Sequence, residues 1–257
     1  MLEDDFTWVI RKAFKGLSLA PGEAALRAGL PETEVMSFSR GNFSAETARR
    51  LAPVLGLNPD ALARLGEYLP KPLALPEIQR IDLPFGTERV NAWLIEVAGI
   101  RVLFDTGNER GTCAAALGAR KADHIFITHG HRDHVGGIRD FIGKGGIVRG
   151  LDIPNVRQIN PGDTIHCGPL VIRSCDLSGH YTPSLGYHVK GLTQPVLVTG
   201  DALFAGSIGG CSTPELYQRA LGRLREVLAP LADETVILPG HGPATTLAEE
   251  RVRNPFL

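Results

Sequence analysis

The sequence has no long apolar run, no excess of charge of one sign and no cluster of basic residues at its start. Its 257 residues contain 27 Lys and Arg against 28 Asp and Glu, and the net charge of −1 gives no overall basic field to attract nucleic acid or a membrane surface. The first six residues are acidic where a secretory signal is basic, and no later segment is apolar over the length of a transmembrane helix. We therefore expect a cytoplasmic protein without a membrane partner.

Closely spaced cysteine pairs are also missing. The four cysteines, Cys113, Cys167, Cys175 and Cys211, are scattered and form no Cys-x-x-Cys motif. This spacing indicates neither a zinc ribbon nor a disulfide framework. We expect reduced and mostly buried thiols.

The chain changes character near residue 70, where three prolines fall within the segment Leu-Pro-Lys-Pro-Leu-Ala-Leu-Pro. Prolines at this density block helix continuation and are typical of a linker. Before them the pattern is helical, and after them strands and Gly-rich turns alternate with helices. We predict an α+β protein with a small all-α domain at residues 1–70, a Pro-rich linker at 71–76 and a catalytic domain at 77–257.

Periodicity, capping residues and Gly or Pro breaks predict the individual elements. Five short helices are expected before the linker, at residues 6–15, 22–28, 32–38, 45–55 and 59–68. After the linker, strands are expected at 90–97, 101–104, 124–127, 170–174, 195–198 and 235–238. Helices are expected between them at 111–119, 135–142, 214–228 and 246–252.

Five of the eight histidines and two aspartates form a pattern typical of a two-metal site. A divalent cation needs several imidazoles and carboxylates converging on it. His129 and His131 are two residues apart, so in an extended segment they project to the same side and can bind one ion, which His180 would complete. Asp133 and His134 diverge from that pair and suit a second ion. The remaining two residues of the pattern are His241, a further ligand of the second ion, and Asp201, which is free to bridge.

The ends of the predicted strands deliver these residues. His129, Asp201 and His241 each follow an apolar strand, as ligand sites in α/β sheets do at the carboxyl edge. Asp105 lies at a fourth strand end. Its carboxylate is either a second-shell partner that fixes a histidine tautomer or part of an ordinary Asx turn ahead of Gly107.

Residues from about 75 to the end resemble the metallo-β-lactamase superfamily, and within it the glyoxalase II branch. The resemblance rests on Leu-Phe-Asp-Thr-Gly at 103–107, Thr-His-Gly-His-Arg-Asp-His-Val-Gly-Gly at 128–137 and Pro-Gly-His-Gly at 239–242. It also rests on residues 91–96, 178–186, 199–206 and 254–256. It implies an αββα sandwich with a small-molecule substrate.

The same resemblance implies a dinuclear centre with seven ligands. One metal would be held by His129, His131 and His180, the other by Asp133, His134 and His241, with Asp201 bridging. Zinc is the expected metal, and iron or manganese are alternatives because His/Asp sites accept several ions.

A hydroxide bridging two cations can attack a carbonyl carbon, with Asp133 as a ligand and as the catalytic residue that orients it. Asp201 stands where many true β-lactamases of the superfamily carry a cysteine, which favours a thioester, ester or lactone over an antibiotic. A mononuclear iron enzyme similar to persulfide dioxygenases is the alternative within the superfamily.

Two departures from the glyoxalase II pattern concern the substrate. Glyoxalase II enzymes carry a helical region after the last histidine that helps bind glutathione, and we expect none here because the sequence ends shortly after Glu249 and Glu250. The segment 207–214 also lacks the basic residue that the branch commonly carries there. Tyr181 follows a ligand directly, and we expect it either to line the substrate pocket or to pack under the metal loop.

Residues 24–65 resemble a Cro/repressor-type helix-turn-helix. The expected recognition helix begins with Glu32 and Glu34, which would face phosphates, and residues 1–70 carry eight basic against nine acidic residues, a net charge of 8 − 9 = −1. This charge favours a structural role, as a cover over the pocket mouth or as a dimerisation arm in a homodimer. A DNA-binding regulator with a metal-dependent sensor domain is the alternative.

Overall fold

The computed structural model describes all 257 residues and contains nine α-helices and twelve strands. The helices are α1 Phe6–Leu17, α2 Pro21–Ala28, α3 Glu32–Ser39, α4 Ala45–Leu51, α5 Pro59–Ala63, α6 Thr112–Leu117, α7 Arg132–Val135, α8 Pro214–Leu228 and α9 Leu247–Arg253. The strands are β1 Ile78–Phe85, β2 Glu88–Val97, β3 Ile100–Phe104, β4 His124–Phe126, β5 Ile147–Gly150, β6 Arg157–Gln158, β7 Thr164–Cys167, β8 Leu170–Asp176, β9 Leu185–Lys190, β10 Val196–Gly200, β11 Val236–Pro239 and β12 Thr245–Thr246. No helix combines the length and the apolar character needed to span a bilayer.

The strands form two six-stranded sheets. The first sheet has the order β1-β2-β3-β4-β5-β6, antiparallel from β1 to β3 and parallel from β3 to β6. The second sheet has the order β12-β11-β10-β9-β8-β7, in which only β10 and β11 are parallel. The two sheets face each other across a cluster of 19 buried residues that includes Trp93, Phe104, Phe126 and Tyr187. The predicted α+β class is confirmed.

Helices cover the outer face of each sheet. A cluster of 14 buried residues joins the first sheet to α6 through Cys113 and Leu117. Beneath the second sheet, a cluster of 31 buried residues includes Tyr217 and Leu224 of α8. The order of layers is therefore helix, sheet, sheet, helix.

The amino-terminal helices belong to this larger cluster and have no separate core. Val9 and Ile10 of α1 are buried together with Leu203 and Tyr217. Gly16 allows the contact, because a Cβ atom there would lie 2.3 Å from Cγ of Tyr217. The five helices expected before residue 70 are present, although the last two end early and are followed by 3₁₀ turns at Ala52–Leu55 and Leu65–Glu67. The domain boundaries at 70 and 76 stay a prediction.

Several elements differ from the expected ones. Strands β1, β5, β6, β7, β9 and β12 were not predicted. The helix expected at 135–142 begins earlier, as α7, and breaks after Val135 before a 3₁₀ turn at Ile138–Asp140. The break lies at Gly136 and Gly137, where a Cβ atom would lie 1.8 Å from the Asn108 carbonyl oxygen and 2.4 Å from that of Thr106.

The cysteines agree with expectation. All four are free, three are buried, and Cys175 is partly exposed. Burial raises the pKa of the Cys113 thiol to about 12, so it stays protonated at neutral pH.

Candidate metal centre

Loops and one short helix at the carboxyl ends of neighbouring strands carry the candidate ligands. His129 and His131 follow β4, and Asp133 and His134 lie on α7 directly after them. His180 lies between β8 and β9. The two remaining positions are those of Asp201, which follows β10, and His241, which follows β11.

The seven side chains converge into two groups that share one carboxylate. His129, His131, His180 and Asp201 form the first group, and their ligand atoms all lie within 4.8 Å of one another. The second group meets the same limit and consists of Asp133, His134, Asp201 and His241. Asp201 belongs to both groups, which is the position required of a bridging ligand.

Ring nitrogens face each other across the first group. His129 Nε2 lies 3.0 Å from His131 Nδ1, and His180 Nε2 lies 3.2 Å from the same atom. Three imidazoles at these distances present their lone pairs to a common point when they are neutral. This is the donor set that a zinc or iron ion takes.

Two buried polar atoms of the second group lack a hydrogen-bond partner. They are His134 Nε2 and Asp201 Oδ1, which lie 3.2 Å apart without hydrogen-bond geometry. A buried polar atom without a partner costs about 1–3 kcal/mol. A cation between them would satisfy both, so the residues present fit a metal ion.

Asp105 connects α7 to the strand end that carries His129. Its Oδ2 accepts a 2.7 Å hydrogen bond from His134 Nδ1, and its two carboxylate oxygens accept 2.8 Å bonds from the Thr128 backbone N–H and hydroxyl. These bonds make the carboxylate a partner of His134, the first of its two expected alternatives. Asp105 itself has left-handed backbone geometry, with φ of 60°.

Outer hydrogen bonds also orient three further histidines. His180 Nδ1 donates to the Gly210 carbonyl at 2.6 Å, and His241 Nδ1 donates to the Arg89 carbonyl at 2.7 Å. The Thr128 hydroxyl gives its hydrogen to Asp105 and can therefore accept from His129 Nδ1 at 3.0 Å. Each bond directs Nε2 of its imidazole inward, as metal-binding histidines require.

Neighbouring charges and burial shift the pKa values of the site residues, some upward and some downward. Burial disfavours the ionised Asp201 carboxylate, but the neighbouring histidines, His134 above all, together outweigh burial and hold the Asp201 pKa well below its ordinary value. Burial likewise disfavours protonated His241, but the Asp133 hydrogen bond and the Asp201 charge raise its pKa to about 9. For His129, burial and the charge of His134 lower the pKa well below its ordinary value.

A cavity of about 700 Å³, called here the metal cavity, opens above the two groups. Besides the ligands, the aromatic side chains Phe85 and Phe204 line it. Residues at and before α1 form part of its wall: Glu3, Asp4, Trp8 and Lys12.

Lys12 connects α1 to the loop that contains Ile208. Its Nζ pairs with Asp4, donates to the Ile208 carbonyl at 2.8 Å and lies 5.2 Å from the centroid of the Phe204 ring. Sequence reasoning did not identify Lys12 or Trp8 as site residues. Lys12 and Ile208 are 196 positions apart, and no local motif signals such a contact.

Tyr181 does not line the metal cavity. Its ring packs 4.7 Å from the His131 ring, and its hydroxyl would lie 2.6 Å from a Cβ atom at Gly130. The ring of Tyr181 thus packs against the metal loop, while its side chain lines a neighbouring cavity of about 710 Å³, and a substrate-pocket role for it stays a prediction.

The family is decided by sequence comparison. Residues 85–162 match the profile of the Metallo-beta-lactamase superfamily. An uncharacterized protein of Aquifex aeolicus is 30% identical over 203 residues, covering 68% of this chain and 94% of the relative. The chain belongs to the metallo-β-lactamase superfamily.

Other relatives bear on the reaction and the metal. Hydroxyacylglutathione hydrolase GloC of Haemophilus influenzae is 28% identical over 162 residues, 52% of this chain and 74% of the relative. The crystal structure of TTHA1623 in a di-iron-bound form is 27% identical, with a TM-score of 0.56, 69% of this chain and 100% of that chain covered. The superfamily fold and a metal-dependent hydrolase class are thereby supported, and the helix-turn-helix resemblance stays a prediction.

Proposed function

We propose that the protein is a dinuclear metal-dependent hydrolase that cleaves a thioester, ester or lactone of a small molecule. The observation that carries the proposal is the sharing of Asp201 between two complete ligand groups. The likeness to hydroxyacylglutathione hydrolase GloC supports a glyoxalase II-like reaction.

In this proposal His129, His131 and His180 hold one ion, and Asp133, His134 and His241 hold the other. Two divalent ions held there, with zinc expected and iron or manganese as alternatives, would lower the pKa of bound water and stabilise the developing oxyanion of the substrate. Asp105 keeps Nε2 of His134 free for its ion by holding the Nδ1 hydrogen.

Asp133 is the proposed catalytic residue. It lines the metal cavity, and its pKa is lowered because the His241 hydrogen bond and the His134 charge outweigh the effect of burial, so the carboxylate is ionised at neutral pH. An ionised carboxylate at this position can accept a hydrogen bond from the attacking water and direct its lone pair at the carbonyl carbon.

Metal analysis combined with a substrate panel tests the proposal. We expect about two equivalents of metal per chain in purified protein and hydrolysis of at least one thioester, ester or lactone. His131→Ala should lose metal and reduce kcat by about 10²-fold or more. His166→Ala, an exposed histidine on β7, is the matched control and should retain both. Metal-free wild-type protein with undiminished hydrolysis would contradict the proposal.

A mononuclear iron enzyme similar to persulfide dioxygenases remains the alternative reaction. The complete second group of Asp133, His134, Asp201 and His241 favours two ions over one. Elemental analysis giving one iron per chain, together with sulfite production from a persulfide, would replace the hydrolase proposal.

DNA binding by the amino-terminal helices is the alternative outside enzymes. Three arginines of this region are paired with acids, Arg27 with Glu23, Arg49 with Asp60 and Arg64 with Glu67. We therefore propose that these helices serve to form part of the wall of the metal cavity, because Trp8 and Lys12 of α1 line it. Retardation of genomic fragments in a mobility-shift assay, weakening as salt rises, would support the regulator instead.

A further inference from the structure

Three exposed arginines line a small cavity beside the metal cavity. Arg110 follows β3, and Arg132 and Arg139 lie seven positions apart along α7 and the 3₁₀ turn after it. All three line one cavity of about 340 Å³, which shares Asn108 and Arg132 with the metal cavity. We call Arg110, Arg132 and Arg139 the arginine patch.

The positive charge of the arginine patch is only partly compensated within the protein. Arg110 lies 3.5 Å from Asp140, and the other oxygen of that carboxylate accepts a 2.6 Å bond from the Gly111 N–H. The side chains of Arg132 and Arg139 form no hydrogen bond or ion pair in the structure. Glu109 is the one acidic residue that lines this cavity. Three guanidinium groups against two carboxylates leave a net positive site next to the candidate metals.

Resting on the hydrolase proposed above, we infer that the arginine patch binds a phosphate group on the leaving group of the substrate. Guanidinium groups match phosphate oxygens in a bidentate geometry, and several can share one dianion. Arg132 lines both the small cavity and the metal cavity. A phosphate bound by the arginine patch would therefore lie next to the cavity in which the carbonyl is proposed to react. The arginine patch thus supplies the positive charge that residues 207–214 lack.

A phosphorylated thiol fits this patch better than glutathione does. Glutathione carries an ammonium group as well as two carboxylates, and an ammonium group gains little beside three arginines. A phosphorylated leaving group offers negative charge alone. In the reaction, water adds to the acyl carbon, the C–S bond breaks, and the products are a carboxylate, a thiol with its phosphate unchanged, and one proton.

Three thioesters of the same acyl group test the inference: the coenzyme A thioester, the glutathione thioester and the uncharged N-acetylcysteamine thioester. The quantity compared is the ratio of kcat/KM for the coenzyme A thioester to that for the N-acetylcysteamine thioester. We expect Arg139→Gln and Arg110→Gln each to lower this ratio by about tenfold, and the double variant by more. Arg173→Gln, an exposed arginine on β8, is the matched control and should leave the ratio unchanged.

The dependence of the same ratio on salt concentration is a second test. Exposed charges are screened within about 10 Å at 0.1 M salt, so the wild-type ratio should fall as ionic strength rises. A ratio that is insensitive to salt and to both variants would overturn the inference. Equal or greater preference for the glutathione thioester would overturn the assignment of phosphate.

A binding measurement separates this inference from the hydrolase proposal. Adenosine 3′,5′-bisphosphate, which has no thioester, is titrated into the purified protein by calorimetry. We expect binding that weakens about tenfold in Arg139→Gln and not in Arg173→Gln. Such binding without hydrolysis of any substrate would contradict the hydrolase alone, whereas hydrolysis without it would contradict the arginine patch alone.

Discussion

Asp105 Oδ2 accepts a 2.7 Å hydrogen bond from Nδ1 of the fully buried His134. The same carboxylate accepts both donors of Thr128, the residue before the first candidate ligand. One side chain therefore sets the orientation of His134 and the course of the chain entering the metal loop.

Asp105→Asn should weaken metal binding by about 10–100-fold, because its amide nitrogen cannot accept the His134 hydrogen. The loss should fall mainly on the ion bound by His134, seen as a drop towards one equivalent of metal in equilibrium dialysis. Asp163→Asn changes a carboxylate in a turn away from the metals and serves as the control. Full retention of both ions in Asp105→Asn would contradict the role given to this carboxylate.

Metal binding should release protons at neutral pH. Burial opposes the charge on His241, but Asp133 and Asp201 raise its pKa to about 9, so the imidazole is protonated in the metal-free protein at pH 7. A metal ion binds the neutral form, so each proton displaced makes affinity rise up to tenfold per pH unit until about pH 9. Calorimetry in buffers of different ionisation enthalpy measures the release. Metal affinity independent of pH over this range would show that His241 is not a ligand.

Trp8 should contribute to substrate binding rather than to the chemical step. Its half-exposed side chain lines the metal cavity, with the Arg11 guanidinium carbon 4.4 Å from its ring centroid. Trp8→Ala should raise KM about three- to tenfold and leave kcat within about twofold, since the contact exists before and during reaction. Phe43→Ala, an equally exposed aromatic outside that cavity, is the control. An unchanged KM in Trp8→Ala would remove α1 from substrate binding.

Two glycine substitutions compare a tight site with an open one. Gly16→Ala places a methyl group 2.3 Å from the Tyr217 ring, so we expect about 1–3 kcal/mol of destabilisation. Gly222→Ala, within α8, has no atom within 4 Å of the new Cβ and should stabilise by up to about 1 kcal/mol. Urea unfolding measures both. Equal effects would show that α1 does not pack closely on α8.

Local patterns in the sequence are what predict the candidate metal residues. His129 and His131 alternate within one segment, and Asp201 and His241 each follow a recognisable apolar strand. The convergence of all seven side chains within two groups is what the structure adds. Their roles as ligands stay a prediction.

Features that depend on contacts between distant segments were not predictable. Strand β1 follows a Pro-rich segment and contains Pro84, so propensity argues against it, and pairing with β2 over eight residues overrides propensity. The cavity wall formed by Trp8 and Lys12 depends on the position of α1 against α8. Only the three-dimensional packing contains that information.

The amino-terminal helices and the rest of the chain share the core beneath the second sheet. Val9, Ile10, Leu203 and Tyr217 lie in one continuous apolar cluster, so the prolines after residue 69 interrupt the secondary structure without interrupting the core. If the chain were divided at these prolines and the two fragments were separated, the apolar side chains of this cluster would be exposed to water on both fragments. The amino-terminal helices and the second sheet therefore share one core, and α1 carries Trp8 and Lys12 of the metal-cavity wall on the same helix that packs into it.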